Sequence, residues 1–222
     1  MNTLEVISQR RAVGGFVLLI IGYLLSSRIS LEISFFNISC LFLILFSYSA
    51  LIVLFGYQST KDLLKPLKRP FVRKILSAVG LSFLIVFGIS IVLMMFFGEV
   101  AVTQNGNIPF LKSITVKWQL VSLLIIFLNI IGEELWVAGI VLPIATWLTE
   151  YKFNWLLANL IGCLIFALIH LEIYKFNIAI CLIVGFSRYG FSMAWKSNDT
   201  LRGGIYAHLL YDSLLLAVNI LL

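Results

Sequence analysis

Apolar runs follow one another almost without pause, at about 12–29, 35–57, 74–97, 118–148, 154–171, 176–195 and 203–222. A run of roughly 18 or more apolar residues is long enough, alone or with tilt, to span a hydrocarbon core about 30 Å thick. Only 12% of the 222 residues are charged and 61% are hydrophobic. A soluble domain carries about 25% charged residues, so too few are present to cover an aqueous surface. The expectation is an all-α fold, a polytopic membrane helix bundle of about seven transmembrane helices. It is read as a single membrane domain over 1–222, with three accessory spans in 1–117 and a motif-bearing, catalytic-like core in 118–222.

The formal net charge of +6 does not describe a nucleic-acid surface, because the basic residues sit in loops rather than along one face. The stretch Gln58 to Lys74 holds Lys61, Lys65, Lys68, Arg69, Arg73 and Lys74 against Asp62, with Pro66 and Pro70 as helix breakers. Basic residues beside spans stay on the cytoplasmic side, where they also meet anionic lipid. Two spans precede this loop, so the N-terminus, with Arg10 and Arg11, is expected inside as well. The turn-rich segment Gly98 to Lys117, with Gln104, Asn105, Gly106, Asn107 and Pro109, then falls outside. The weakly basic Lys196–Arg202 loop returns inside. No small-x-small cleavage site follows Arg10–Arg11, which makes the first run a span rather than a leader, and the surroundings fit a twin-arginine signal poorly. Cys40, Cys163 and Cys181 lie inside apolar runs with no C-x-x-C spacing and read as packing residues. No internal repeat is visible, so an inverted-repeat transporter gains no support.

Strongly polar side chains in a span cost roughly 2.5–3.5 kcal/mol each on insertion scales, so those present are informative. The fourth run holds Asn129, Glu133 and Glu134; the fifth ends at His170; the seventh holds His208 and Asp212. His208 and Asp212 stand four apart and share a helix face, as do Asn129 and Glu133. Glu133 and Glu134 point about 100° apart, so one can aim at a common centre while the other faces a neighbouring helix. Two adjacent carboxylates in low dielectric do not both ionise cheaply, which leaves one able to hold a proton. Plainer readings exist. A histidine at a helix end commonly makes one interfacial hydrogen bond, and His208 with Asp212 could be an interhelical bond. The glutamate pair is harder to assign to structure, since Ser, Thr or Asn would serve more cheaply. Jointly these residues indicate a polar cavity among the fourth, fifth and seventh spans.

Three ordered motifs carry a resemblance. Glu133-Glu134-Leu135-Trp136-Val137-Ala138-Gly139, Phe166-Ala167-Leu168-Ile169-His170 and His208-Leu209-Leu210-Tyr211-Asp212 resemble the Glu-Glu-x-x-x-Arg, Phe-x-x-x-His and His-x-x-x-Asn/Asp motifs of the CPBP intramembrane proteases, the type II CAAX-prenyl-protease and bacteriocin-processing (Abi) group. The resemblance covers about residues 118–222. It implies an intramembrane endopeptidase in which Glu133 and His170 hold and activate a water, while His208 and Asp212 stabilise the oxyanion; Glu134, Asn129 and Phe166 are supporting residues. The chemistry is coherent: general-base assistance is worth about 10²–10⁴ in rate, and a tetrahedral intermediate needs a preorganised donor. An ionised Asp212 only accepts, so its part is to orient or charge His208.

The family's arginine position is Ala138 here. Arg188, Lys175 and Arg202 are the candidate replacements, and the alternative to a protease is a catalytically silent scaffold or immunity protein that binds a partner. No cofactor is expected. Zinc is the competing reading, since two histidines with Glu and Asp could ligate it, but no His-x-x-x-His pair occurs. The resemblance implies a hydrophobic or membrane-bound peptide substrate, with roles in bacteriocin immunity, peptide-signal processing or surface-protein processing in a bacterial plasma membrane. Oligomeric state is not readable from the chain. In a simple up-and-down arrangement His170 lies toward the outer end of its span and His208 toward the inner end of its own, so the two imidazoles must approach by tilt or by a shift in helix boundaries.

Overall fold

Each of the seven apolar runs carries a helix in the computed structural model, which describes residues 6–29, 32–33, 36–98 and 116–221. The helices are α1 (Gln9–Arg28), α2 (Cys40–Phe55), a short α3 (Tyr57–Leu63), α4 (Val72–Phe97), α5 (Val116–Trp147), α6 (Asn154–Ile169), α7 (Ile178–Asn198) and α8 (Arg202–Leu221). Among the described residues the only other regular structure is a two-rung antiparallel pair, β1 (Glu32–Ile33) with β2 (Phe36–Asn37).

Among the described residues four helices, α1, α4, α5 and α7, are long and apolar enough to cross a membrane. The α2–α3 pair, bent by 118°, makes a fifth if it counts as one span. The count of seven is therefore not reached among these residues: α2 and α6 fall short by length, and α8 is not among the four. The run expected over 35–57 starts in the strand pair, which leaves α2 with 16 residues; α6 also has 16. At ~1.5 Å per residue each is about 24 Å long, less than a ~30 Å core. The bend after α2 falls at Gly56, whose φ of 84° is open to glycine and strained for other residues. The chain is nonetheless an integral membrane protein by the number and apolarity of its helices. The Gly98–Lys117 connection, expected outside, lies at 99–115 beyond the described residues.

Contacts divide the chain into two units: residues 1–66 with 109–155, and 67–108 with 156–222. This division runs across the 117/118 boundary, since α5 packs with α1 and α2 whereas α4 packs with α7 and α8. In lipid the hydrophobic effect does not drive helices together, so close approach at small residues has to supply the attraction. In the first unit, a Cβ on Gly132 of α5 would sit 3.1 Å from Leu43 of α2, and one on Gly139 would sit 2.9 Å from Leu19 of α1. Trp136, on the same face, donates its indole N–H to the Leu19 carbonyl at 2.9 Å. Trp147 likewise donates to the Ile7 carbonyl at 3.2 Å.

The second unit uses the same device. Gly190 of α7 lies against the Ala78 carbonyl and Ser82 of α4, with no room for a Cβ. A Cβ on Gly203 of α8 would be 2.5 Å from the Ala194 carbonyl, and one on Gly185 would be 2.6 Å from both the Cys163 carbonyl and the Ala167 Cβ of α6. Ile75, Ala78, Val79, Phe191, Ala194, Ala207 and Tyr211 fill the space between α4, α7 and α8. Lys74, at the start of α4, donates to the Ser197 carbonyl in the last turn of α7 at 2.6 Å, where exposed carbonyls attract a cation. The three cysteines are free and buried, as packing residues should be.

Gly190→Leu should force α4 and α7 apart. Because its nearest obstacles include backbone, the cost is expected at the upper end of the ~1–3 kcal/mol typical of overpacking, read as a lower denaturation midpoint in detergent. A midpoint equal to wild type would show that the two helices do not depend on this approach.

Candidate functional site

The structure places the sequence-derived residues on both units. Asn129, Glu133 and Glu134 belong to the first; Phe166, His170, His208 and Asp212 belong to the second. Each group is built by local helix geometry.

On α5, the face formed by Gly132, Trp136 and Gly139 is turned to α1 and α2. The two glutamates therefore project in other directions, and their surroundings differ as their angular separation predicts. Glu134 is fully buried, while Glu133 is half-buried. Asn129, one turn earlier, donates its side-chain N–H to Glu133 Oε1 at 2.6 Å, so this i, i+4 pair meets as the spacing requires. An amide donor on one carboxylate oxygen fixes the orientation of the other. Ala138, where the motif arginine would stand, is fully buried, as are Val137 and Val141 beside it.

In the second unit, His170 occupies the turn after α6, and its Nδ1 lies 2.8 Å from the Phe166 carbonyl. A carbonyl only accepts, so Nδ1 carries the proton in this bond and Nε2 of the neutral ring is left with its lone pair. The Phe166 ring packs on the imidazole at 4.4 Å between centroids, and Tyr174 stacks near it at 6.1 Å. Phe166 of the Phe-x-x-x-His motif thus holds the histidine twice, by its ring and by its backbone oxygen. The turn itself is closed by hydrogen bonds from the backbone N–H groups of Tyr174 to His170, Phe176 to Leu171 and Asn177 to Tyr174. Asn177 then caps α7 by accepting from the Ile180 N–H at 3.1 Å.

His208 is buried on α8 and stacks face to face on Phe191 of α7, at 4.4 Å and 18°. Its Nε2 lies 3.5 Å from Asp212 Oδ2, a charge contact longer than an ordinary hydrogen bond. The Asp212 side chain is 39% exposed, which lets solvent share its charge. His208 of α8 lies within electrostatic reach of His170.

Sequence reasoning treated Arg188 only as a stand-in for the motif arginine, but the structure gives it a place of its own. It is fully buried on α7. Its guanidinium carbon lies 5.0 Å from the centre of the Phe166 ring and 5.2 Å from that of Trp195. The signal was a cation inside an apolar run, which is as costly there as a glutamate. Within each unit, no group of three or more His, Cys, Asp or Glu side chains among the described residues is arranged to hold a metal ion.

Residues 115–214 match a protein family described as type II CAAX prenyl endopeptidase Rce1-like. The resemblance drawn from the three motifs is borne out. The matched stretch runs from one residue before α5 to two residues past Asp212 and contains all three motifs. No curated protein and no solved structure matches the chain. The match of this stretch to an Rce1-like, CAAX-type protease family supports a peptidase.

Because His170 and His208 are the two histidines of the chain, their imidazole NMR signals can be followed separately. Phe166→Leu should remove the ring-current displacement of the His170 resonances and leave those of His208, which stacks on Phe191, in place. Equal movement of both signals would mean that Phe166 does not hold His170 in particular.

Proposed function

We propose that the protein is an intramembrane endopeptidase in which a glutamate-activated water cleaves a hydrophobic or membrane-bound peptide. The observation that carries this reading is that the Rce1-like stretch contains the three motifs in order, with a local pair at each: Asn129 with Glu133 of the first, Phe166 with His170, and His208 with Asp212. Glu133 takes the proton from the attacking water, and Asn129 holds one carboxylate oxygen so that the other faces that water. His170, with Nδ1 committed to the Phe166 carbonyl, presents Nε2 as the acceptor that helps hold the water and later relays its proton to the leaving amine. His208 stabilises the oxyanion as a donor, and Asp212 supports the positive charge it gains in doing so. Glu134, buried next to the base in sequence, is a supporting residue.

On this reading no metal is required, the substrate reaches the site from the bilayer, and the family's CAAX prenyl endopeptidase activity points to peptides carrying a prenylated cysteine near the C-terminus. The chain acts as one membrane domain of seven helical crossings in a bacterial plasma membrane, with its N-terminus and the Lys61–Lys74 loop cytoplasmic. Bacteriocin immunity and the processing of peptide signals or surface proteins are the matching cellular roles. A second reading is favoured by Ala138: with the motif arginine absent, the chain could have kept the scaffold and lost hydrolysis, acting instead by binding a partner.

The deciding assay uses purified protein in lipid vesicles and a quenched fluorescent peptide with an S-farnesyl cysteine followed by three residues. Glu133→Gln and His170→Ala should each slow cleavage about 10²–10⁴-fold with unchanged abundance in the membrane, and strong chelators should leave the wild-type rate intact. A Glu133→Gln protein as fast as wild type would remove the protease reading. Loss of activity on chelation would replace the water-activating carboxylate with a metal.

A further inference from the structure

If the chain is a protease of this kind, the premise on which the role of Arg188 rests, one buried charge still lacks a task. Of the three basic residues that could replace the motif arginine, Lys175 is exposed and Arg202 is partly exposed, whereas Arg188 is fully buried. Its position follows from packing. Gly185 lets α6 approach α7 so closely that a Cβ there would meet Cys163 and Ala167. Three residues further along α7, on the same face, Arg188 meets the next part of that contact. Its guanidinium lies over the Phe166 ring at 5.0 Å and over the Trp195 ring, about two turns on, at 5.2 Å. A planar cation between two aromatic faces is held in orientation as well as position, which a lysine would not be.

The same ring ties Arg188 to the chemistry. Phe166 packs on the imidazole of His170 at 4.4 Å and supplies the carbonyl that accepts from Nδ1. Phe191, three residues after Arg188, carries the ring on which His208 stacks. Arg188 thus touches one histidine support and lies about one turn from the other on its own helix, and its charge reaches His170.

We infer that Arg188 is a positioning residue of this site, a fixed cation that keeps the Phe166–His170 pair in place and faces the imidazole with a permanent positive charge. Among the described residues, four groups meet His170: Phe166 of α6 through ring and carbonyl, Tyr174 of the following turn through its ring, Arg188 of α7 and His208 of α8 through charge. Of the two charged partners, only the guanidinium keeps its charge at every working pH. Burial is the first cause that keeps the imidazole neutral, and the guanidinium adds to it because like charges repel, which preserves the lone pair on Nε2.

The test combines turnover with histidine NMR on the full-length protein in lipid vesicles. With the farnesylated peptide as probe, Arg188→Gln should lower kcat about 10²-fold with little change in KM. Arg188→Lys should recover part of the loss, and added guanidinium should restore activity to Arg188→Ala. In the same proteins, the His170 signal, assigned through His208→Gln, should titrate at higher pH in Arg188→Gln than in wild type and return toward wild type in Arg188→Lys. Wild-type kcat in Arg188→Gln would overturn the inference while leaving the protease reading standing. A loss that neither lysine nor guanidinium relieves, with an unmoved His170 titration, would also overturn it and make Arg188 a packing residue. Should wild type leave the peptide uncut, the protease reading fails, and the His170 titration alone decides whether Arg188 acts on the histidine.

Discussion

Close approach between helix backbones is the constraint on which the rest of this structure depends. In a bilayer, lipid tails are as apolar as leucine, so helices associate through packing and polar contacts rather than through the expulsion of water. Glycines stand at the places where this matters: Gly132 and Gly139 on α5, Gly185 and Gly190 on α7, and Gly203 on α8. Each lies within one or two turns of a residue with chemistry. Gly132 precedes Glu133 directly, Gly185 precedes Arg188 by three residues, and Gly203 precedes His208 by five. The polar side chains are thus carried on the stretches of helix least free to shift, which is what a site needs when tolerances are fractions of an ångström.

The second consequence of the lipid setting is electrostatic. Buried charge is costly unless partners or geometry offset it, and the chain offsets it locally. Glu133 has the Asn129 amide, His208 has the Asp212 carboxylate, and Arg188 has two aromatic faces. Asp212 is the most solvated of these groups and Glu134 and Arg188 the least. This gradient separates side chains that can exchange protons with water from those whose charge state is set by protein alone.

How much of this was legible in the sequence depends on range. The seven apolar runs each became a helix because hydropathy acts within a run, and the pairs Asn129–Glu133, Phe166–His170 and His208–Asp212 met because i, i+4 spacing is settled by one turn of helix. What the runs concealed was their usable length. The stretch at 35–57 begins in a strand pair, so α2 starts at Cys40, and its bend at Gly56 depends on a positive φ that hydropathy does not register. Arg188 was visible as a cation in an apolar run, but its setting required knowing that Phe166, on another helix, comes to lie beneath it. That contact depends on Gly185, and a glycine's partner is not written in its own neighbourhood.

The turn between α6 and α7 has a consequence for insertion. Amides left bare in hydrocarbon are prohibitively expensive, which normally forces a connecting loop up to the headgroups. Here the segment from His170 to Asn177 closes its own ladder, helped by Lys175 and Phe176 in left-handed conformations at φ 50° and 60°. Such a knot of backbone has little need of water, but its exposed Glu172 and Lys175 side chains call for headgroups or solvent rather than hydrocarbon. The turn therefore ends the short α6 with its own amides paired, and the imidazole at its start rests on backbone that is already closed.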